Sequence, residues 1–243
     1  YSHISNQATA IMHTALSIDM PMRPWRLSGT VYGTLLNHAP ALAALGDAAN
    51  AAPYKAAPKA PVLFVKPRNT LLATGQPVHA PDGEGVWQIG VSLGIVIGRT
   101  ACRVAESAAN SVIAGYTMVV DFSVPHESFY RPSVRVKARD GSCAIGPHVA
   151  SPAELPAPDN LAITVTVDGA ITQQASTANM IRPVARLLAD VTDFMTLAPG
   201  DVLMLGVPHG APLARAGQRV RAEIAGIGAY ETVITAATVQ EAA

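Results

Sequence analysis

The chain reads as a mixed β protein with a few helices, a set of strands folded on itself. Three observations predict this. Residues 86–98, VWQIGVSLGIVIG, are rich in β-branched side chains and give the strongest strand signal in the sequence. Asp168-Gly169 separates the segments 161–167 and 170–174, the pattern of a hairpin and its turn. The chain also carries 19 glycines and 19 prolines with only 5% aromatic residues, which suits many short strands joined by turns.

Taken in order, residues 1–28 have mixed polarity and no clean period, and read as an N-terminal extension ahead of one domain at 29–243. The pattern LSGTVYGTLL at 27–36 predicts a strand or hairpin ending at Asn37-His38. An Ala/Leu helix is expected at 40–52, since proline is tolerated in a first turn, followed by the proline-punctuated loop PYKAAPKAP. Residues 61–67 form a short strand that presents Lys66, and turn signals flank another at Val78. After the strand at 86–98 come a short helix at 106–114 and a strand at 116–120 that runs into Asp121. Helical spacing of Ile181, Val184, Leu187, Leu188, Val191 and Met195 predicts a helix over 180–195. Strands at 202–207, 219–224 and 231–236 complete the chain.

Composition narrows the function classes. With 49% hydrophobic and 14% charged residues, a chain of 243 residues can bury a sizeable core. The balance of 17 basic and 17 acidic residues gives no electrostatic case for nucleic acid or an anionic membrane. No run approaches about 18 apolar residues, so no membrane-spanning helix is expected. Cys102 and Cys143 show neither metal-ligand spacing nor a disulfide framework, and a reducing cytoplasm is the expected compartment.

The stretch 115–147, GYTMVVDFSVPHESFYRPSVRVKARDGSCAIGP, holds the candidate chemistry. A carboxylate after Met118, Val119 and Val120 is desolvated unless something pairs with it. Asp121 is therefore either a working carboxylate or a strand-end acid that caps a loop or pairs with an arginine. Arg135, Lys137 and Arg139 alternate and, on a strand, would share a face suited to an anionic substrate. His38 reads as a general base or a plain loop residue, and His148 and His209 as loop histidines. Gly90 to Gly94, GVSLG, matches G-x-S-x-G, but the residues after it continue a strand where that motif needs a helix, so Ser92 reads as a small residue in a sheet. Dinucleotide, phosphate-loop and HExxH signatures are absent, and His126-Glu127 are adjacent, a spacing that does not build a zinc site.

Several motifs in one order resemble the fumarylacetoacetate hydrolase family: a strand then Asn37, FVKP at 64–67, AGYTMVVDFS at 114–123, KARDGSCAIGP at 137–147 and LAPGDVLMLGVP at 197–208. NHAPAL, APYKAAPKAP, VKPRNT and ESFYRP are similar in particular to the N-terminal half of two-domain isomerase/decarboxylases of 4-hydroxyphenylacetate breakdown. The resemblance implies a β-sandwich roll and a small anionic 2-oxo or 2-hydroxy acid substrate. It further implies a homo-oligomer, or a hetero-oligomer with a paralogous subunit, and a divalent magnesium or manganese ion on oxygen ligands that polarises the substrate. It makes Asp121 a metal carboxylate, Lys137 the lysine beside substrate and metal, and Thr177 a residue near the substrate carboxylate. A metal-free version would have Lys137 and His38 as the catalytic residues, with Arg139, Thr177 and Lys66 as substrate contacts. The sequence departs from the family where two metal-binding glutamates are usual: Gly90 and Ser92 stand there. Asp82 and Glu84 lie upstream on an expected turn, and Ala41 replaces the acid of the family's His–Glu lid pair. The implied function is an isomerase/decarboxylase using enol chemistry. The alternatives are a catalytically silent subunit beside a metal-competent paralogue and an acylpyruvate-type C–C hydrolase.

Overall fold

A computed structural model describes residues 18–19, 26–27, 30–72, 76–81, 85–126, 128–130, 133–146 and 148–236. Most of the expected N-terminal extension, together with Asp82, Glu84, Glu127 and Arg131, lies outside the described residues. The strands in chain order are β1 (Ile18–Asp19), β2 (Arg26–Leu27), β3 (Val31–Leu35), β4 (Val62–Lys66), β5 (Leu71–Leu72), β6 (Val78–His79), β7 (Val86–Ile97) and β8 (Ile113–Ser123). They continue with β9 (Cys143–Ile145), β10 (Ala162–Val167), β11 (Ala170–Ser176), β12 (Val202–Met204), β13 (Leu213–Arg215), β14 (Arg219–Ile224) and β15 (Gly228–Thr235). The α-helices are short: α1 (Ala39–Ala43), α2 (Val134–Lys137) and α3 (Val184–Thr192).

The mixed β architecture expected from the sequence is the one observed. An eight-stranded sheet runs β4-β3-β12-β7-β8-β9-β5 with β13 also on β7, and a five-stranded sheet runs β11-β10-β14-β15-β6. The long antiparallel pair β7–β8 forms the spine of the larger sheet. Because strand side chains alternate, its two faces differ. Ile89, Val91, Leu93, Ile95, Met118, Val120 and Phe122 join the main core with Ile163, Val165, Val220 and Ala222 of the smaller sheet and Leu187, Leu188 and Val191 of α3. The opposite face carries a smaller cluster, Val31, Phe64, Val96, Val119, Ile145, Val202 and Met204, against which Val207 packs. Asp121, two residues from Val119, lies on this second face.

Four expectations need correction. The helix foreseen over 40–52 stops at Ala43 and resumes as a 3₁₀ turn over Gly46–Asn50, because Gly46 adopts φ +50° and interrupts the hydrogen-bond ladder. The strand foreseen through Arg135, Lys137 and Arg139 is the single turn α2. Four residues are too few for alternation to be told from a helical turn, and the three side chains do not share a face: Lys137 is buried and Arg135 exposed. Asp121 is not at a strand end, since β8 continues to Ser123. Helix α3 begins only at Val184, after Pro183, with Asp159 Oδ1 accepting from the Val184 N–H at 2.8 Å; Ile181 falls outside it and is exposed.

Asn37, buried after β3, ties three segments together. Its Nδ2 donates to the Leu205 and Arg182 carbonyls at 2.8 and 3.0 Å, and its Oδ1 accepts from the Arg182 N–H at 2.9 Å. Asn37→Ala removes all three bonds and leaves backbone groups at 182 and 205 unpaired. It should cost about 2–4 kcal/mol, read as a lower urea midpoint with an unchanged m-value.

Candidate active site

A cleft opens on the second face of the large sheet, with roughly 570 Å³ of empty space including its mouth. Its floor comes from neighbouring positions of the β7–β8 pair, Gln88 opposite Ser123 and Gly90 opposite Asp121. Leu35 and Leu36 at the end of β3, Lys137 of α2, His126 and Phe129 after β8, and the segment Val207 to Ala211 supply the walls.

At the floor is a buried ion cluster. Lys137 Nζ donates to Asp121 Oδ2 at 2.5 Å, and Lys66 Nζ lies 2.9 Å from Oδ1. The second contact is one of charge without an aligned hydrogen bond, since Oδ1 has no donor of good geometry. Lys66 is fully buried beneath the carboxylate and donates to the Lys137 carbonyl, to Ser142 Oγ at 2.9 Å and to the Phe122 carbonyl at 3.4 Å. Lys137 also lies over the Phe64 ring, 4.4 Å from its centre, a cation–π placement. That ring has room because its β-strand partner is Gly33, where a Cβ would come within 2.0 Å of Phe64 Cζ.

Burial by itself would raise the Asp121 pKa. Lys137 and then Lys66 outweigh it, and the carboxyl is held below the ordinary carboxylate value. One carboxylate between two ammonium groups leaves the cluster one positive charge in excess. The partners of Asp121 are thus two lysines, and not the loop or arginine of the strand-end alternative.

The two glutamate places of the family are structurally committed to other tasks. A Cβ on Gly90 would lie 2.9 and 3.0 Å from the Val207 methyl groups, so Val207 fills the space a side chain would need. Ser92 is buried; its Oγ donates to the Leu93 carbonyl at 3.1 Å and accepts from the Gly206 N–H at 3.0 Å. Among the described residues no three His, Cys, Asp or Glu side chains come together. A divalent ion at Asp121 would meet lysine ammonium groups at both carboxylate oxygens, so the donors there do not suit magnesium or manganese.

Of the residues singled out from the sequence, the cleft brings together Asp121, Lys137 and Gly90, with Ala41, His126 and His209 also in its lining. Lys66 supports them from below and does not line the cleft. His38 stands behind the wall: its Nδ1 accepts the His209 N–H at 3.1 Å, which leaves the ring proton on a buried, unpartnered Nε2. Burial first, and His209 second, lower its pKa, so it is neutral and already engaged. Thr177 is also elsewhere, its hydroxyl donating to the Pro158 carbonyl and accepting from the Leu161 N–H, both at 2.8 Å. Arg139 is half-buried outside the lining, with an unpartnered Nε.

Sequence reasoning missed the cleft wall at 206–209. Besides Ser92 and His38, Gln173 of β11 holds it, Nε2 donating to the His209 carbonyl at 2.9 Å. It also passed over His126 as a site residue. The available signal was position: a histidine three residues past a strand that carries a buried acid.

Two outcomes follow from this geometry. The Asp121 pKa is lower folded than unfolded, so the contribution of the cluster is full above the ordinary carboxylate range, about pH 4, and is lost as pH falls from there through the folded value. Asp121→Asn should lose about 3–5 kcal/mol at neutral pH by leaving two buried ammonium groups uncompensated. Its stability should also vary less with pH than that of the parent in the acid range; thermal midpoints between pH 7 and 3 check both. Gly90→Glu should cost about 1–3 kcal/mol by overpacking against Val207, and a double variant with Val207→Ala should recover part of the loss in the same melts.

The fumarylacetoacetate hydrolase C-terminal family pattern matches residues 30–235. The Escherichia coli 4-hydroxyphenylacetate degradation bifunctional isomerase/decarboxylase is 42% identical over 195 residues, covering 80% of this chain and 44% of that protein. The chain spans about half the length of this protein and of other bifunctional isomerase/decarboxylases it matches. Among solved structures, 5-carboxymethyl-2-hydroxymuconate delta-isomerase from Mycobacterium smegmatis superimposes with a TM-score of 0.71 at 26% identity, covering 87% of this chain and 80% of that one. Fumarylpyruvate hydrolase from Pseudomonas aeruginosa, solved with Mn2+ and pyruvate, shares the fold at a TM-score of 0.75 and 23% identity, covering 91% and 96%. With the pattern matched along most of the sequence and the same architecture behind the cleft, this chain belongs to the fumarylacetoacetate hydrolase family.

Proposed function

We propose that the chain is an isomerase/decarboxylase subunit acting on unsaturated 2-oxo or 2-hydroxy dicarboxylates through enol chemistry, without a bound divalent ion. The observation that carries this reading is the Lys66–Asp121–Lys137 cluster. Its excess positive charge lies at the floor of a cleft sized for a small acid, where a carboxylate or an enolate oxygen gains most from a fixed cation. Of the two lysines, Lys137 is the one that reaches the cleft. One of its protons is committed to Asp121, and the others are available to the substrate anion. Asp121 and Lys66 fix the position of that ammonium, so little reorganisation is needed as charge develops on the substrate oxygen. The E. coli relative, an isomerase/decarboxylase by name, and the M. smegmatis isomerase support the substrate class.

A second reading has its own support. The chain matches half of two-domain relatives, and Gly90 and Ser92 stand where metal ligands are usual. A silent subunit that completes a metal-competent paralogue would show both features.

Ketonisation of 5-carboxymethyl-2-hydroxymuconate, followed by its ultraviolet absorbance, separates the two. The purified chain should turn the substrate over, with rates unchanged by EDTA or added magnesium. Lys137→Met, which keeps Lys66 on the carboxylate, should lower kcat by about 10²-fold or more. Turnover that appears only on mixing with a paralogue and is indifferent to Lys137→Met would establish the silent subunit instead.

A further inference from the structure

We propose that His126 is the proton-transfer residue of this cleft, its Nε2 moving the proton between the oxygen and carbon ends of the enol. This rests on the functional reading above and gives it a specific base. His126 lines the cleft together with Asp121, Ser123, Phe129 and Lys137. Its Nδ1 lies 2.9 Å from the Val124 carbonyl oxygen. A carbonyl only accepts, so Nδ1 carries the ring proton and Nε2 presents a bare lone pair. That Nε2 is buried and has no protein partner among the described residues. An unpaired, shielded basic nitrogen on a residue that lines a cleft has a free energy deficit that a ligand proton would relieve once the ring turns to meet it.

His38 makes the contrast. It is the tautomer of opposite sense, with its lone pair occupied by a backbone N–H, and does not line the cleft. Of these two histidines, one buried and one half-buried, only His126 has a basic nitrogen free.

The charged and titratable groups around His126 favour a neutral ring. Burial is the largest influence and lowers its pKa; the Val124 hydrogen bond acts in the opposite sense, Lys137 lowers it further and Asp121 raises it, for a net decrease. Across the cleft the other titratable group is His209. The ring is thus a free base at neutral pH and, once protonated, a willing donor.

The loop is also held in place. Phe129 stacks edge-on against the His126 ring, with centres 5.6 Å apart. The Phe129 N–H donates to Tyr54 Oη at 2.7 Å, and Tyr54 meets Tyr130 edge-on at 6.0 Å. These contacts fix a base whose own backbone belongs to a connecting segment.

The step balances without any co-reactant. Nε2 accepts the proton of the 2-hydroxyl, the oxygen pair closes the C2 carbonyl, and the C=C pair moves onto carbon. That carbon takes the proton back from Nε2–H. One O–H bond breaks and one C–H bond forms, while Lys137 faces the oxygen that carries charge in between.

The test uses the full chain, with 5-carboxymethyl-2-hydroxymuconate as probe and thermal melts to confirm that the variants fold. His126→Gln should lower kcat by about 10²–10³-fold with KM changed only a few-fold. The parent kcat should fall on the acid side with a one-proton limb below about pH 6.5, the ordinary histidine value; that limb should vanish in the variant. Imidazole added to His126→Ala should restore turnover. If His126→Gln keeps its rate and its acid limb while Lys137→Met is inactive, the functional reading stands and this assignment is overturned. A parent protein with no turnover overturns both.

Discussion

The structure depends on burying one negative charge in the middle of a sheet. Asp121 lies inside β8, paired across to Gly90 on one side and Cys143 on the other. Its side chain is fully buried at the floor of the cleft. An ionised carboxylate there is tolerable only if charge is brought to it, and two lysines are. Lys66 has to come from β4, at the far edge of the same sheet, and Lys137 from the turn α2, so their requirement sets where those elements lie. Lys66 in turn needs acceptors, and it takes them from the backbone at 122 and 137 and from Ser142. The turn that replaces the expected strand at 134–137 is thereby joined to the acid it serves.

The same face shows how packing and tethers shape a pocket beside a buried acid. A side chain at 90 would meet the Val207 methyl groups, so Val207 occupies the space beside Asp121. Ser92, a short hydroxyl, reaches the backbone of the loop that brings Val207 in. Lys137 remains as the ammonium group that lines the cleft. Charge in the cleft is then carried by side chains fixed to the sheet.

Much of this was legible in the residues. The 86–98 run, the Asp168-Gly169 hairpin and the strand at Val62–Lys66 are set by local pattern, and local pattern found them. Asp121 and Lys137 stood out because a charge amid apolar residues must have a reason. What escaped depends on distant parts of the chain. Nothing in VRVK distinguishes a helical turn from a strand, and Lys66 becomes a support only once residues 71 and 76 positions away fold onto it. His126 resembled any loop histidine until the partner of its Nδ1 was known. Thr177 was suggested by likeness to the family and His38 by its place after a strand, and here their polar atoms serve neighbouring backbone.

The Gln173 contact joins the two sheets in a way that matters beyond packing. Gln173 belongs to the hairpin edge of the five-stranded sheet, yet its amide grips the backbone that forms one wall of the cleft. The smaller sheet therefore sets a dimension of the pocket: any shift of that hairpin relative to the spine is transmitted to the spacing between His209 and the floor. The width of the cleft is then set partly by residues that do not line it. Variants that alter which ligands the cleft admits should be sought as readily on the outer hairpin as in the cleft.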